Sequence, residues 1–431
     1  MWNRIWQQTV GSDIPLDGRN DWLRWLVAAF GIWLVLATLP LWLHTSDFPQ
    51  VPWFTWGCSV PQAIDVVLFC LMIGALVCGP ASRPDAAGNR LYLWLFAGAM
   101  TGLILLDQHR AQPWAYELVL AAVILASTPA PHAMGLLRVL TISIYFHSAV
   151  SKCDYSFCTG LGRSFLLELG HLAFGRPPAG ALPWETAAWP LLFPLGELAV
   201  AVGLIWPPVR RWAVWAACGM HLILLVVLGP WGLRHSAGVL IWNVYFILQN
   251  VFLFGRASKP VNLPEAASVN TERRSFAQWS VNLLVASVVL WPLLEPWGWC
   301  DVWPAWGLYA QHGEQMSLRL TDRVVRIVPL VWQESATQIV DMNVEPGTWQ
   351  LRPQAVSLKL VSAPLYPQNR FQLGLILDLA QRSPIPPTDV SAIWYYPANR
   401  WNGARRSIQL NSLADIERAA DQCWWNARPR R

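Results

Sequence analysis

Long uncharged apolar windows before residue 300 constrain the fold of this chain more than any other feature of its sequence. Several of them approach or reach the roughly 18 consecutive residues that are typical of a membrane-spanning helix. The chain has 431 residues, of which 54% are hydrophobic and 13% are charged, whereas soluble domains carry about 25% charged residues. The sequence therefore predicts a mainly α, polytopic membrane helical bundle.

The apolar windows predict about nine transmembrane helices, of which the third and fourth are short. Their expected positions are about 22–43, 61–79, 91–106, 115–130, 134–152, 190–206, 212–231, 237–255 and 276–296. Most Lys and Arg residues of the short connections fall on one side of the membrane if the N-terminus is inside. Because such residues are retained in the cytoplasm, we expect an integral membrane protein with a cytoplasmic N-terminus. An odd number of spans then places the C-terminal region outside the cytoplasm.

The pattern of the sequence changes at about residue 300. Alternating runs such as Ser317–Leu320 and Val356–Val361, broken by Pro and Gly, predict a small β-rich extracytoplasmic domain. A helix is expected near Ser412–Cys423. The predicted domains are an interfacial N-terminal segment at 1–20, a transmembrane domain at 21–299 and the β-rich C-terminal domain at 300–431.

The stretch Ile142–Asp154 ends an apolar helix with a lysine at the membrane boundary. Four polar residues of this helix recur at i, i+4, i+7 and i+11: Thr141, Tyr145, Ser148 and Lys152. This spacing places them on one stripe. A polar stripe on a membrane helix is expected to face protein or water and not lipid.

Polar residues of other spans are expected to meet Lys152 at the outer membrane boundary. The connection 107–116 is too polar for a simple hairpin, Glu197 lies in the outer half of the sixth span, and Arg234 and His235 join the seventh span to the eighth. His221 lies near mid-membrane. Ionisable groups at such depth are costly and normally face a cavity or a partner, so the sequence predicts an outward-opening pocket within the bundle.

Each of these residues also has a purely structural interpretation. Arg234 and Lys152 could extend to the lipid headgroups, and Glu197 could pair with a cation to hold two helices together. A histidine such as His221 is often hydrogen-bonded to a neighbouring helix. Lysine acts as a base only where desolvation or a nearby cation lowers its pKa by several units from about 10.4.

Cysteines 153 and 158 flank a short loop immediately after Lys152. In an oxidising compartment Cys153 and Cys158 could form a disulfide, or they could be a redox pair. No metal site is predicted, because the histidines are scattered without a carboxylate-flanked i, i+4 pair. Nucleic acid is not an expected partner, because the net charge of +5 is not concentrated in a basic run.

The stretch Tyr145–Asp154, followed by Gly160, resembles the lysine motif of vitamin K-dependent γ-carboxylase and its bacterial relatives, the HTTM (horizontally transferred transmembrane) family. The shared pattern is Tyr, a small-residue pair, Lys-x-Asp and then Gly. The resemblance extends over roughly residues 20–256 and includes Asp107, Tyr116 and His221 with the aromatic-rich span that follows it.

This resemblance implies that Lys152 is the base that initiates oxidation of a quinol, with Tyr145, Ser148 and His221 around it. It also implies a quinone or quinol cofactor of the menaquinone or vitamin K type, an extracytoplasmic protein or peptide substrate, and a bacterial inner membrane. The chain departs from the family at Trp114, which stands where the carboxylase has a histidine. His109 and His147 are nearby candidates to substitute for it, although His147 lies about 140° around the helix from Lys152.

We therefore expect a carboxylase-like membrane protein whose outward-facing pocket binds a quinone-like ligand and supports a quinol-coupled modification of a substrate outside the cytoplasm. An alternative is a non-catalytic membrane subunit or maturation factor of a redox system, because the hairpin from Asp107 to Trp114 is similar to DoxX-like membrane proteins. A transporter is a third interpretation, but paired inverted halves are not visible.

Overall fold

The computed structural model describes residues 16–43, 47–79, 88–175, 188–255, 276–340 and 345–430. This part of the chain is mainly helical and contains a small antiparallel sheet. The predicted interfacial segment 1–20 lies almost entirely outside the described residues.

The described part of the chain before residue 300 consists mainly of helices. They are α1 (Leu16–Ala37), α2 (Leu39–Trp42), α3 (Ala63–Cys78), α4 (Gly88–Leu106), α5 (Pro113–Ser127), α6 (Ala130–Lys152), α7 (Tyr155–Thr159), α8 (Leu161–Phe174), α9 (Leu192–Ile205), α10 (Arg210–Leu228), α11 (Ala237–Phe254) and α12 (Phe276–Leu290). Pro113 opens α5 at a position where the missing N–H has no helical partner to lose.

Five of the described helices are long and apolar enough to cross a membrane: Asn20–Ala37, Ala130–Lys152, Arg210–Leu228, Ala237–Phe254 and Phe276–Trp297. Four shorter apolar helices, Ala63–Cys78, Arg90–Leu106, Pro113–Ser127 and Trp189–Ile205, lie at the remaining predicted positions. The predicted bundle of apolar helices is thus confirmed. The expected nine crossings are not, since helix length supports five.

Helix α6 lies in the middle of the bundle and packs against α1, α5, α9, α11 and α12. The four residues of its predicted polar stripe, Thr141, Tyr145, Ser148 and Lys152, are all buried. The expectation that this stripe faces protein is therefore confirmed.

The region from residue 300 onward, which we call the cap, contains a five-stranded antiparallel sheet in the order β2-β3-β1-β4-β5. The strands are β1 (Gln315–Thr321), β2 (Thr337–Gln338), β3 (Thr348–Gln350), β4 (Val390–Tyr395) and β5 (Ser407–Leu410). The helices are α13 (Asp322–Val325), α14 (Leu330–Ser335), α15 (Pro353–Val361), α16 (Asn369–Arg382) and α17 (Leu413–Asp421).

The predicted strand at Ser317–Leu320 and the helix near Ser412–Cys423 are confirmed, but the strand at Val356–Val361 is wrong. That segment belongs to α15, which starts at Pro353. Its buried residues are Pro353, Val356, Ser357 and Val361, a helical spacing and not an alternation of period two. The cap is therefore a mixed α and β domain and not a β-rich one.

The cap packs on the end of the bundle that carries the 107–112 connection and the last turn of α6, which we call the capped end. Arg370 donates from Nε to Gln108 Oε1 at 2.9 Å, and Gln108 in turn donates to the carbonyl of Asn426 at 2.7 Å. Asp65 of α3 accepts from Arg110 and from Arg430, each at 2.5 Å. Cap and bundle thus share two buried polar clusters.

Candidate functional site

A cavity of about 630 Å³ lies at the capped end, lined by α6, α8, α9, α10 and α11 and covered by the cap. Most of its surface is apolar, and aromatic side chains form much of the wall: Phe165, Phe193, Trp242, Phe246, Trp303 and Tyr309. Seven of the residues predicted from the sequence line it: Trp114, Tyr145, Ser148, Lys152, Glu197, His221 and His235. The structure therefore brings together the residues of the predicted pocket from α5, α6, α9 and α10 and from the connection before α11.

Lys152 is the last residue of α6, and its side chain turns into the bundle. Its ammonium donates to Glu197 Oε1 at 2.6 Å and to Ser148 Oγ at 2.8 Å. The side chain is only 4% exposed, so it does not extend to the lipid headgroups. A second carboxylate oxygen, Glu197 Oε2, is buried without a hydrogen-bond partner in the described structure.

A chain of neutral hydrogen-bonding groups forms a second polar patch of the cavity. Tyr145 Oη lies 2.7 Å from His221 Nε2, and His221 Nδ1 lies 2.8 Å from Asn243 Oδ1. Asn250 donates to the same Tyr145 oxygen at 2.7 Å. The imidazole also stacks on Phe246, with ring centroids 4.9 Å apart. The position and orientation of His221 are thus fixed from three sides.

The two asparagines of α11 were not predicted from the sequence. Asn243 and Asn250 are seven residues apart and therefore lie on one face of the helix, the face that packs toward α6 and α10. Two amides on one face of a span whose only other amide is Gln249 were the signal that could have revealed them. Glu117, whose Oε2 accepts from the cavity residue Trp242 at 2.7 Å, was missed in the same way.

Two predicted pocket residues lie elsewhere. His109 is buried between bundle and cap, where its ring packs near Phe48 and Phe371 and its Nε2 lies 2.8 Å from the carbonyl oxygen of Pro364. Burial lowers the pKa of His109 to about 4, so it is a neutral packing residue at pH 7. Arg234 is exposed, with a left-handed backbone (φ 52°).

His147 also faces away from the cavity. Its Nε2 lies 2.9 Å from the carbonyl oxygen of Val289 in α12, on the other side of α6 from Lys152. The helical angle between the two residues anticipated this arrangement. Neither His109 nor His147 therefore lines the cavity, whereas Trp114 does.

Cys153 and Cys158 carry free thiols in the structure, so the predicted disulfide is not formed. Within the described ranges, no three His, Cys, Asp or Glu side chains form a group that could hold a metal ion.

Asp154, the acidic residue of the Lys-x-Asp pattern, joins α6 to the cap. One carboxylate oxygen accepts from the backbone N–H of Phe157 at 2.7 Å and caps α7, and the other lies 3.0 Å from His312 Nδ1. His312 Nε2 lies 2.9 Å from Glu295, and Arg400 also binds Glu295. The cap is thus anchored two residues beyond the lysine of the cavity.

The chemistry of the cavity follows from its one buried pair of opposite charges. Lys152 donates hydrogen bonds from its buried position. The unpaired oxygen of Glu197 is an acceptor for a hydroxyl. The pair can therefore bind a ligand group that both accepts and donates a hydrogen bond, within walls that favour a flat apolar ring.

Comparison of the chain with family models, with curated proteins and with solved structures finds no match.

Proposed function

We propose that this protein is a membrane protein that binds a quinone or quinol in the cavity at its capped end and takes a proton from the ring hydroxyl. The observation that carries the proposal is a single buried ammonium–carboxylate pair, Lys152 and Glu197, in the wall of a cavity that is otherwise largely apolar and aromatic. A volume of about 630 Å³ is within the usual range for sites that enclose a drug-sized ligand.

The two charged groups would have complementary roles toward a quinol. Glu197 Oε2, which lacks a partner in the described structure, accepts the hydroxyl proton and becomes a neutral carboxylic acid. Lys152 keeps its proton and stabilises the negative charge that remains on the ring oxygen. The resemblance to the carboxylase family suggested Lys152 as the base, but the carboxylate beside it makes Glu197 the better proton acceptor.

The neutral patch of Tyr145, His221 and Asn243 supports binding at the other polar position of a ring. Its groups are buried and mutually hydrogen-bonded. Both ring nitrogens of His221 are used in these contacts, so the hydrogen bonds left for a ligand belong to the Tyr145 hydroxyl and the Asn243 amide. Such preorganised groups orient a ligand at little entropic cost. We assign them to ligand positioning.

The same proposal includes the topology expected from the charge bias. The N-terminus lies in the cytoplasm of a bacterial cell, the capped end faces the exterior of the inner membrane, and the shorter apolar helices also cross the bilayer. A protein or peptide substrate outside the cytoplasm would approach the capped end of the protein. Because Trp114 stands where the carboxylase has histidine, the proposal covers quinol binding and deprotonation and not transfer of carbon dioxide.

Mass spectrometry of compounds extracted from the purified protein tests the proposal directly. We expect a prenylated quinone to co-purify with the wild type, and to be lost from Lys152→Met and Glu197→Gln. Lys359→Met is the matched control, since Lys359 pairs with Glu334 on the exposed surface of the cap.

Two results would overturn the proposal. The first is a wild type without any ring compound, and the second is equal quinone retention by the wild type and Lys152→Met. A stable stoichiometric partner protein together with no bound quinone would favour a non-catalytic subunit of a redox system instead.

A further inference from the structure

We infer that the cavity opens sideways into the bilayer through a gap between α9 and α10, and that its ligand carries a long apolar chain that occupies this gap. The inference rests on the proposed function only in that the ligand's polar head lies at Lys152 and Glu197. It adds a second subsite, of a different chemistry, and a route of access.

The first observation is that α9 and α10 diverge toward the capped end. Near the turn that joins them they touch, since a Cβ added to Gly203 would lie 2.8 Å from the Cβ of Ala213. Farther from the turn, a Cβ added to Gly196 or to Gly219 would meet no atom within 4 Å in the described part of the chain. Gly196 is seven residues from Gly203, which corresponds to about 10 Å along the helix. Within the described residues, α9 and α10 are thus in contact near the turn and separated at Gly196, beside the cavity. We call this V-shaped opening the gap.

The second observation is that residues of both helices beside this gap line the cavity and are also exposed on the outer surface of the protein. Leu192 of α9 and Ile223 of α10 line the cavity, yet they are 56% and 47% exposed on the protein surface. Gly196 and Ala216 also line the cavity and are exposed. On helices of this apolar character the exposed side faces acyl chains, so the wall of the cavity is continuous with the bilayer.

The side chains that border the gap are apolar, so they favour the passage of an apolar chain. The residues that border it are Leu192, Gly196, Ala216, Gly219 and Ile223, and none of them carries a polar side chain. The polar groups of α9 and α10 that reach the cavity, Glu197 and His221, lie on its inner wall and are largely buried. An apolar chain gains free energy from such a passage, whereas a charged or strongly hydrated group would lose its hydration there without compensation.

The other sides of the cavity are covered. Phe165 and Leu169 of α8 lie over the bundle, and residues 302–310 of the cap supply further lining. Gln311 accepts a hydrogen bond from the backbone N–H of Leu161 at 2.8 Å, which fastens this cap segment to the start of α8. A ligand whose head fills the cavity therefore has its apolar exit at the gap and not through the cap.

Filling the gap tests the inference. Gly196→Leu and Gly219→Leu place a side chain into open space, so the fold tolerates them. Gly98→Leu on α4 is the matched control. A Cβ at Gly98 also meets no described atom within 4 Å, but Gly98 lies away from the cavity lining. We measure binding of a naphthoquinone with a four-unit isoprenoid tail and of the same ring without a tail. We expect the tailed compound to bind at least tenfold more weakly to both gap variants, with unchanged binding of the tailless ring. Equal losses for both compounds, or no loss for the tailed one, would overturn the inference.

A second measurement separates this inference from the identity of the head group. Untargeted mass spectrometry of extracts compares chain-bearing compounds retained by wild type, by the Gly196→Leu/Gly219→Leu double variant and by Gly98→Leu. Selective loss of a chain-bearing compound from the double variant supports the gap even if that compound is not a quinone, in which case the proposed function fails alone. Equal retention by all three proteins, or no chain-bearing compound in the wild type, overturns the inference that the cavity opens between α9 and α10.

Discussion

The ammonium of Lys152 and the carboxylate of Glu197 join α6 to α9 through a buried ion pair with 2.6 Å between Nζ and Oε1. Helix α6 continues directly into Asp154, which anchors the cap, and α9 forms one side of the gap toward the bilayer. Under the proposed function the same two side chains stabilise the fold and bind the ligand. These contributions can be separated by experiment.

Replacing one partner of this pair should destabilise the protein strongly. Lys152→Met leaves a buried carboxylate without its cation, and removal of one partner of a buried pair costs about 3–5 kcal/mol. The double variant Lys152→Met/Glu197→Leu should recover most of this loss while quinone binding stays absent. Unfolding in detergent measures the first effect and ligand extraction the second. A double variant that is as unstable as the single one would contradict the interpretation, and Lys359→Met should change stability little.

Tyr145→Phe should lower both stability and ligand affinity without changing the shape of the cavity. The substitution removes the hydroxyl that contacts His221 and Asn250, and an unpaired buried polar group costs about 1–3 kcal/mol. Tyr245→Phe is a suitable control, since Tyr245 is buried against Phe30 on another face of α11. Thermal unfolding and quinone titration give the two readouts. An unchanged melting temperature in Tyr145→Phe would show that the network does not hold α6, α10 and α11 together.

The ion pairs of Asp65 with Arg110 and Arg430 should keep the cap attached to the bundle. Asp65 is 2% exposed and compensates Arg110 and Arg430 at once, so Asp65→Asn leaves two buried guanidinium groups around a neutral amide. We expect a loss of about 3–5 kcal/mol and faster proteolytic release of the cap. Asp421→Asn, which affects the exposed pair with Arg428, is the control. Identical proteolysis of wild type and Asp65→Asn would contradict this role.

Attachment of the cap should also depend on pH through His312. Burial lowers the pKa of His312, and the nearby charge of Arg400 lowers it as well. Hydrogen bonds to Asp154 and Glu295 raise this pKa by more, so the net shift is upward. The imidazolium therefore stabilises the folded state fully below the unfolded value of about 6.5, and this contribution disappears as the pH rises through the higher folded value.

The matched variant for this prediction is His312→Gln, which keeps a hydrogen-bonding side chain but cannot become charged. The stability difference between wild type and His312→Gln should be larger at pH 6 than at pH 9. Melting temperatures in detergent across this range provide the measurement. A difference that grows with pH would show that His312 binds its partners in the neutral form.

The location of the helices and much of the cavity could be predicted from the sequence because both depend on local periodicity. The spacing of Tyr145, Ser148 and Lys152 specified one face of α6, and the cost of burying Glu197 and His221 pointed to a shared cavity. The angle between His147 and Lys152 likewise placed that histidine on the opposite face. These inferences required only helix geometry and the energetics of charge in an apolar environment.

The remaining features depend on contacts between distant parts of the chain. His109 appeared close to the site along the sequence, but packing of the cap encloses it between Phe48 and Phe371. The segment from Val356 to Val361 alternates like a strand, yet it is a helix because Pro353 begins it and the bundle covers one helical face. The spacing of Asn243 and Asn250 places them on one face of α11, but that they contact His221 and Tyr145 follows from tertiary packing.

The position of Arg430 has a consequence for biosynthesis. Its guanidinium reaches Asp65 across 365 residues of sequence, so Asp65 and Arg110 are synthesised long before this partner. During this interval the buried carboxylate lacks one of the two cations that it has in the folded structure. We therefore expect the segment that carries Arg430 to dock late, onto helices that have already folded.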